Sequence, residues 1–156
     1  MKFFVVLIFL FLNAFGFGGI VVNVYDGDTI TILSKDSQAY KIRLWGIDAP
    51  EKKQAFGEKS RAYLRNMIIN KSVKVRKMGQ DRYKRILGIV IFNGVDINAK
   101  MVESGYAWSY DKFSTKYKNL ELQARQAKKG LWVDKKPIRP DEFRFLVGVK
   151  PRKIIF

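Results

Sequence analysis

The order of segments along the chain predicts an α+β fold, a small closed β-barrel of five strands of the OB type that carries three helices. Three observations lead to it. Short β-branched, apolar runs recur five times, a stretch of helical periodicity separates the third run from the fourth, and two further helical stretches follow the fifth.

The first two strands lie in "GGIVVNVYDGDTITIL", residues 18–33, where Asp26-Gly27 is a hairpin-grade turn between two β-branched runs. In the third, Tyr40, Ile42 and Leu44 alternate with Lys41 and Arg43, so one face is expected to be apolar and the other basic. Gly46 and Pro50 end regular pairing. From about residue 52 to 70, Tyr63 with Met67 and Leu64 with Ile68 repeat at the i,i+4 spacing of a helix. "KSVKVRKM" and "RILGIVIF" are the fourth and fifth strands, separated by the polar "GQDRYK". After the Asn93-Gly94 turn, "VDINAKMVESG" reads as a short helix ended by Gly105. The third helix, about residues 115–129, carries Tyr117, Leu120, Ala124 and Ala127 on one stripe and stops at Gly130.

Around this domain, residues 19–133, two terminal segments stand apart. The start, "MKFFVVLIFLFLNAFGFGG", joins Lys2 to an apolar run and then small residues, the pattern of an export leader over residues 1–16, with residue 19 as its outer limit. The alternative is an uncleaved membrane anchor, for which the apolar run is short of the ~20 residues a spanning helix needs. Export to a periplasm or to the medium is therefore expected, with no stable membrane association once the leader is removed. Residues 134–156 form a basic extension with three prolines; its first half is expected to pack on the barrel and its last ten residues to be a basic arm.

Composition narrows the chemistry. Thirty Lys and Arg against fourteen Asp and Glu leave a formal charge of +16, which points to a polyanionic partner. The basic residues are dispersed among strands rather than gathered on one amphipathic helix, which favours nucleic acid over a membrane surface. The chain has no cysteine, so the core holds it without disulfides. It has no histidine either, which excludes His-based catalysis and His-ligated zinc. Any reaction must run on carboxylates, Arg, Lys, Tyr and a hard metal ion.

Asp28 opens the second strand, while Asp48 and Glu51 follow the third, so pairing of those strands brings the three acids to one rim. Two carboxylates, a carbonyl and waters make an oxygen set for an ion such as calcium, and a third carboxylate could take a proton from water. Taken singly, Asp26-Gly27-Asp28 is a turn and Asp48-Ala49-Pro50 a strand terminator. Arg43 and Arg85 add planar guanidinium groups, which match two oxygens of a phosphate as charge grows on them. Either arginine alone reads as a solvated charge.

The ordered motifs "VYDGDTI", "IRLWGIDAPE", "DRYKR", "INAKMVESGYAW" and "ARQAKKGLW" resemble the thermonuclease family of staphylococcal-nuclease-like domains over about residues 19–132. The resemblance implies an OB barrel with three helices and calcium-dependent cleavage of DNA and RNA, preferably single-stranded, to 3′-phosphorylated products. Matched position by position, it implies Asp28, Asp48 and the carbonyl of Ala49 as calcium ligands, with Asp26 as support behind them. It also implies Glu51 as general base, Arg43 and Arg85 on the scissile phosphate, and Tyr83 and Lys84 in substrate binding. Ala49 stands where the best-known member has Thr. Lys84 stands where the family usually has Gly, which either restricts the turn that aims Arg85 or adds a phosphate contact. A monomer is expected. The competing reading, from a different class, is a catalytically silent nucleic-acid-binding barrel, against which the joint presence of Asp28, Arg43, Asp48, Glu51 and Arg85 counts.

Overall fold

A computed structural model describes residues 17–148. The expected leader, residues 1–16, and the last part of the extension, from residue 149, lie outside the described residues.

Five strands close the barrel: β1 (Gly18–Val24), β2 (Thr29–Leu33), β3 (Ala39–Leu44), β5 (Ser72–Gln80) and β6 (Ile86–Phe92). The ladder runs β3-β2-β1-β5-β6, and closure comes from a parallel pairing of β3 with β6, with Ile42 opposite Ile86 and Leu44 opposite Gly88. The short β4 (Ile47–Asp48) and β8 (Trp108–Ser109) pair separately, and β7 (Val95–Asp96) extends the main sheet beside β6. The five-stranded barrel is thus the one the alternating runs predict. Inward residues such as Val21, Ile30, Ile32, Ile42, Leu44, Val75 and Val90 are fully or almost fully buried in its core.

Among the described residues, four α-helices, rather than the three expected, decorate it. α1 (Gly57–Ile68) places Leu64 and Ile68 on the core, and α2 (Ile97–Glu103) adds Ile97, Met101 and Val102. Asp96 caps α2 by accepting from the Ala99 amide. Asn98, fully buried, donates to the Trp45 and Gly88 carbonyls and accepts from the Val90 amide, which fastens α2 to β6 and to the turn after β3. α3 (Lys118–Gln126) is shorter than its periodic stretch, and the 3₁₀ turn at Gly130–Val133 brings Trp132 against Trp108, 5.1 Å between ring centroids.

The additional helix, α4 (Pro140–Leu146), forms within the extension. Pro140 occupies its first turn with Asp141 and Glu142, where a missing amide costs nothing and acids complement the helix dipole. α1 starts at Gly57 rather than near residue 52, because the segment before it folds as turns. There the Gln54 amide donates to the Glu51 carbonyl, and Phe56 takes the left-handed conformation with φ 65°. Gly57 is required at its place, since a Cβ there would stand 1.9 Å from the Glu51 carbonyl oxygen.

Candidate active site

The turn between β1 and β2 carries the first acid. Asp26 Oδ1 accepts from the Asp28 amide at 3.0 Å, a side-chain turn that points Asp28 into the barrel rim. Gly27 passes so close to α1 that a Cβ would lie 1.9 Å from Ser60 Oγ. Asp28 is buried; its Oδ2 accepts from the Ala49 amide at 2.7 Å and its Oδ1 from the Thr29 hydroxyl. One carboxylate thus ties the β1–β2 turn to the segment after β4, which brings Asp28, Asp48, Ala49 and Glu51 together as the rim argument predicts.

Arg43 does not stand on an outer basic face, as the alternation along β3 suggests. It is only 7% exposed, whereas Lys41 is exposed and lies over the Tyr25 ring. The difference arises at the end of β3, where β6 pairs alongside and the segment through β4 folds over Arg43. Its guanidinium spans the acids: Nη2 is 3.0 Å from Asp28 Oδ2 and 2.9 Å from Asp48 Oδ1, while Nη1 donates to the carbonyls of Leu44 and Ile47.

A second guanidinium, with no sequence expectation attached, enters from α4. Arg144 is 5% exposed; its Nη2 lies 2.9 Å from Asp48 Oδ2, and its Nη1 lies 2.7 Å from Glu51 Oε1 and 3.3 Å from Asp48 Oδ1. Burial works against the charge of Arg43, but Asp28, Asp48 and Asp26 outweigh it and raise its pKa. Burial likewise opposes the charge of Arg144, and the bonds to Asp48 and Glu51 overcome it. Behind them, burial and the neighbouring charge of Asp28 push Asp26 up to about 7.

The loop between β5 and β6 borders a narrow, solvent-open cleft beside these groups. Asp81, buried, organises it: Oδ1 accepts from the amides of Tyr83 and Arg85, and Oδ2 accepts from Arg85 Nε at 2.7 Å. Arg85 and Tyr83 line the cleft together with Arg43, Asp48 and Arg144, and Leu87, Tyr110 and Phe113 add ring and aliphatic surface. Lys84 is exposed, does not line the cleft, and holds φ 60°, the left-handed conformation that a glycine adopts without strain.

Sequence reasoning passed over Asp81, Arg144 and Phe113. Asp81 opens "DRYKR", and an Asp before a polar turn is a standing signal for side-chain capping of that turn. Arg144 follows "RPDEF", in which proline and two acids mark a helix start, yet nothing in sequence says where that helix lands. Of the aromatic residues just after α2, Tyr110 lines the cleft, whereas Trp108 packs in the core beside Trp132.

The oxygen-only donor set of Asp28, Asp48, Ala49 and Glu51 has the chemistry that a hard cation takes. As arranged, however, the acids do not converge on one open point. Both Asp48 oxygens and one Glu51 oxygen are engaged by guanidinium groups, and among the described residues no three acidic side chains are grouped to hold an ion.

Residues 41–134 match the family model described as staphylococcal nuclease homologue. The chain is 43% identical over 126 residues to a protein named "Uncharacterized endonuclease" from Haemophilus influenzae, covering 80% of this chain and 71% of that one. It is 37% identical over 141 residues to the "Micrococcal nuclease" of Shigella flexneri, covering 82% and 80% of the two. The "Probable staphylococcal-like nuclease CAN1" of Oryza sativa subsp. japonica is 36% identical over 110 residues, which are 69% of this chain and 33% of that protein.

Proposed function

The chain belongs to the staphylococcal nuclease family and is a nuclease hydrolase, and we propose that it is an exported, calcium-dependent endonuclease acting as a monomer on DNA and RNA, single strands by preference. The observation that carries the reading is the cleft itself, which Arg43 and Asp48 line together with Tyr83 and the Asp81-held Arg85, while the buried Asp28 is paired to Arg43 behind it.

The proposed reaction adds water to phosphorus and expels the 5′ oxygen, leaving a 3′-phosphate. Glu51 takes the proton of the attacking water. Arg85 donates to non-bridging oxygens, where a planar fork gains most as negative charge accumulates. Its Nε is already given to Asp81, so the guanidinium approaches the phosphate with its orientation fixed. Tyr83, 55% exposed, offers a stacking face for a base, backed by the guanidinium groups of Arg82 and Arg85. Asp28, Asp48 and the Ala49 carbonyl would hold calcium, which supplies positive charge beside the phosphate when bound. Arg43, paired with both aspartates, offsets their mutual repulsion and orients them, and it lines the cleft where it would contact the scissile phosphate.

The test is degradation of heat-denatured DNA and of RNA by the purified mature chain, with calcium, with a chelator, and with Glu51→Gln. Calcium-dependent cleavage that collapses in the variant, with 3′-phosphate ends, is expected. Tight binding without cleavage would turn the reading to a silent binding barrel. Export rests on the leader pattern alone, and a mature chain starting at Met1 would refute leader removal.

A further inference from the structure

We propose that Gln54 is a positioning residue for Glu51: its side-chain amide fixes the backbone from which the proposed base projects and ties that backbone to the C-terminal extension. The inference rests on the base reading of Glu51 above and adds what holds the base in place.

Glu51 belongs to no strand or helix. It lies between β4, which ends at Asp48, and α1, which starts at Gly57, so no ladder fixes its main chain. Gln54 supplies that fixation from both sides. The Glu51 amide donates to Gln54 Oε1 at 3.0 Å, and the Gln54 backbone amide donates to the Glu51 carbonyl at 2.8 Å. Both main-chain polar groups of Glu51 are thus bound to one residue, which restrains rotation on either side of its Cα. The Gly57 amide in turn donates to the Gln54 carbonyl at 2.9 Å and carries the turn into α1.

The other end of the same side-chain amide is used as well. Gln54 Nε2 donates at 2.7 Å to the carbonyl of Ile138, in the segment that leads to α4. Gln54 is buried, whereas Lys52, Lys53 and Ala55 around it are exposed. One orientation of the amide serves both partners; turned over, it would set NH₂ against the Glu51 N–H and oxygen against the Ile138 oxygen. The bond to Ile138 therefore selects the orientation in which Oε1 meets Glu51. From the same extension, Arg144 Nη1 lies 2.7 Å from Glu51 Oε1. The extension thus acts on the main chain of Glu51 through Gln54 and on its carboxylate through Arg144. A base must stand within hydrogen-bond reach of the water it deprotonates, so small movements of this backbone are costly to turnover.

The test is steady-state cleavage of a single-stranded oligodeoxynucleotide by the full mature chain, with melting followed in parallel. Gln54→Leu should lower kcat by roughly ten- to a hundredfold with KM little changed. In a Glu51→Gln background the same substitution should cost no further activity, although the melting temperature falls by a similar amount in both. Gln54→Glu presents an acceptor to the Glu51 amide whichever way its carboxylate turns. It should keep kcat near that of the wild type while losing stability at Ile138, and it carries the test if Gln54→Leu does not fold. Wild-type kcat in folded Gln54→Leu, or an equal loss in both backgrounds, would overturn the positioning role and leave the base reading standing; so would a loss of that size in Gln54→Glu. A Glu51→Gln protein as active as the wild type would overturn both.

Discussion

Replacing Asp81 by Asn isolates the contact that aims Arg85. The amide oxygen of Asn can still accept from the Tyr83 and Arg85 amides, so the turn between β5 and β6 should persist. At the other position an NH₂ would face Arg85 Nε, where the structure has a carboxylate oxygen at 2.7 Å. The change removes a charge-assisted bond and sets donor against donor on a pair whose side chains are 13% and 3% exposed. A hydrogen bond to a charged group contributes about 1.5–3 kcal/mol, and for a domain of this size that is a fall of roughly 5–12 °C in melting temperature. A guanidinium displaced by ~1 Å can cost about a hundredfold in turnover, with the greater loss expected in kcat. The assay is steady-state cleavage of single-stranded DNA by wild type, Asp81→Asn, Arg85→Lys and the double variant, with melting followed in parallel. If Asp81 acts through Arg85, the double variant should be little worse than Arg85→Lys. Fully multiplicative losses would refute the reasoning, because they would mean that the two residues act independently.

Lys84→Gly should stabilise the chain by up to about 1 kcal/mol, since it removes a side chain from the left-handed region at some cost in unfolded-state entropy; a lower melting temperature would contradict it. Gly27→Ala should cost about 2 kcal/mol or more and reduce activity, because the added methyl meets Ser60 and the Ala49 methyl and pushes Asp28 off its bond to the Ala49 amide; normal stability measured by urea melts would show that the turn adapts. Affinity for single-stranded DNA should fall steeply with salt, as expected when several Lys and Arg displace counterions; a flat dependence between about 50 and 200 mM would argue against a phosphate-led interface. Asp28→Ala should weaken calcium binding as well as turnover, checked by titration, and unchanged affinity would remove Asp28 from the ligand set.

The sequence by itself determined the barrel and most of its rim. Strand alternation, the Asp26-Gly27 turn and the i,i+4 repeats are local signals, and each produced an element in the structure because it agreed with its neighbours. Asp28, Asp48 and Glu51 were legible as one group for the same reason: the β2–β3 pairing that joins them follows from chain order. Arg43 marks the limit of that reasoning. Alternation assigns a face, but whether a face meets water depends on what covers it, and β6 with the segment through β4 covers this one.

The tertiary structure alone decided the partnerships formed over long separations. Arg144 reaches Asp48 across 96 positions, and no periodicity or motif encodes where a seven-residue helix in a proline-containing extension will dock. Burial made that docking selective: inside the rim, a carboxylate without a counter-charge costs several kcal/mol, so a tethered guanidinium settles beside Asp48 and Glu51. Local pattern thus specified which residues could do chemistry, while the three-dimensional balance of charge decided which of them face a partner within the chain.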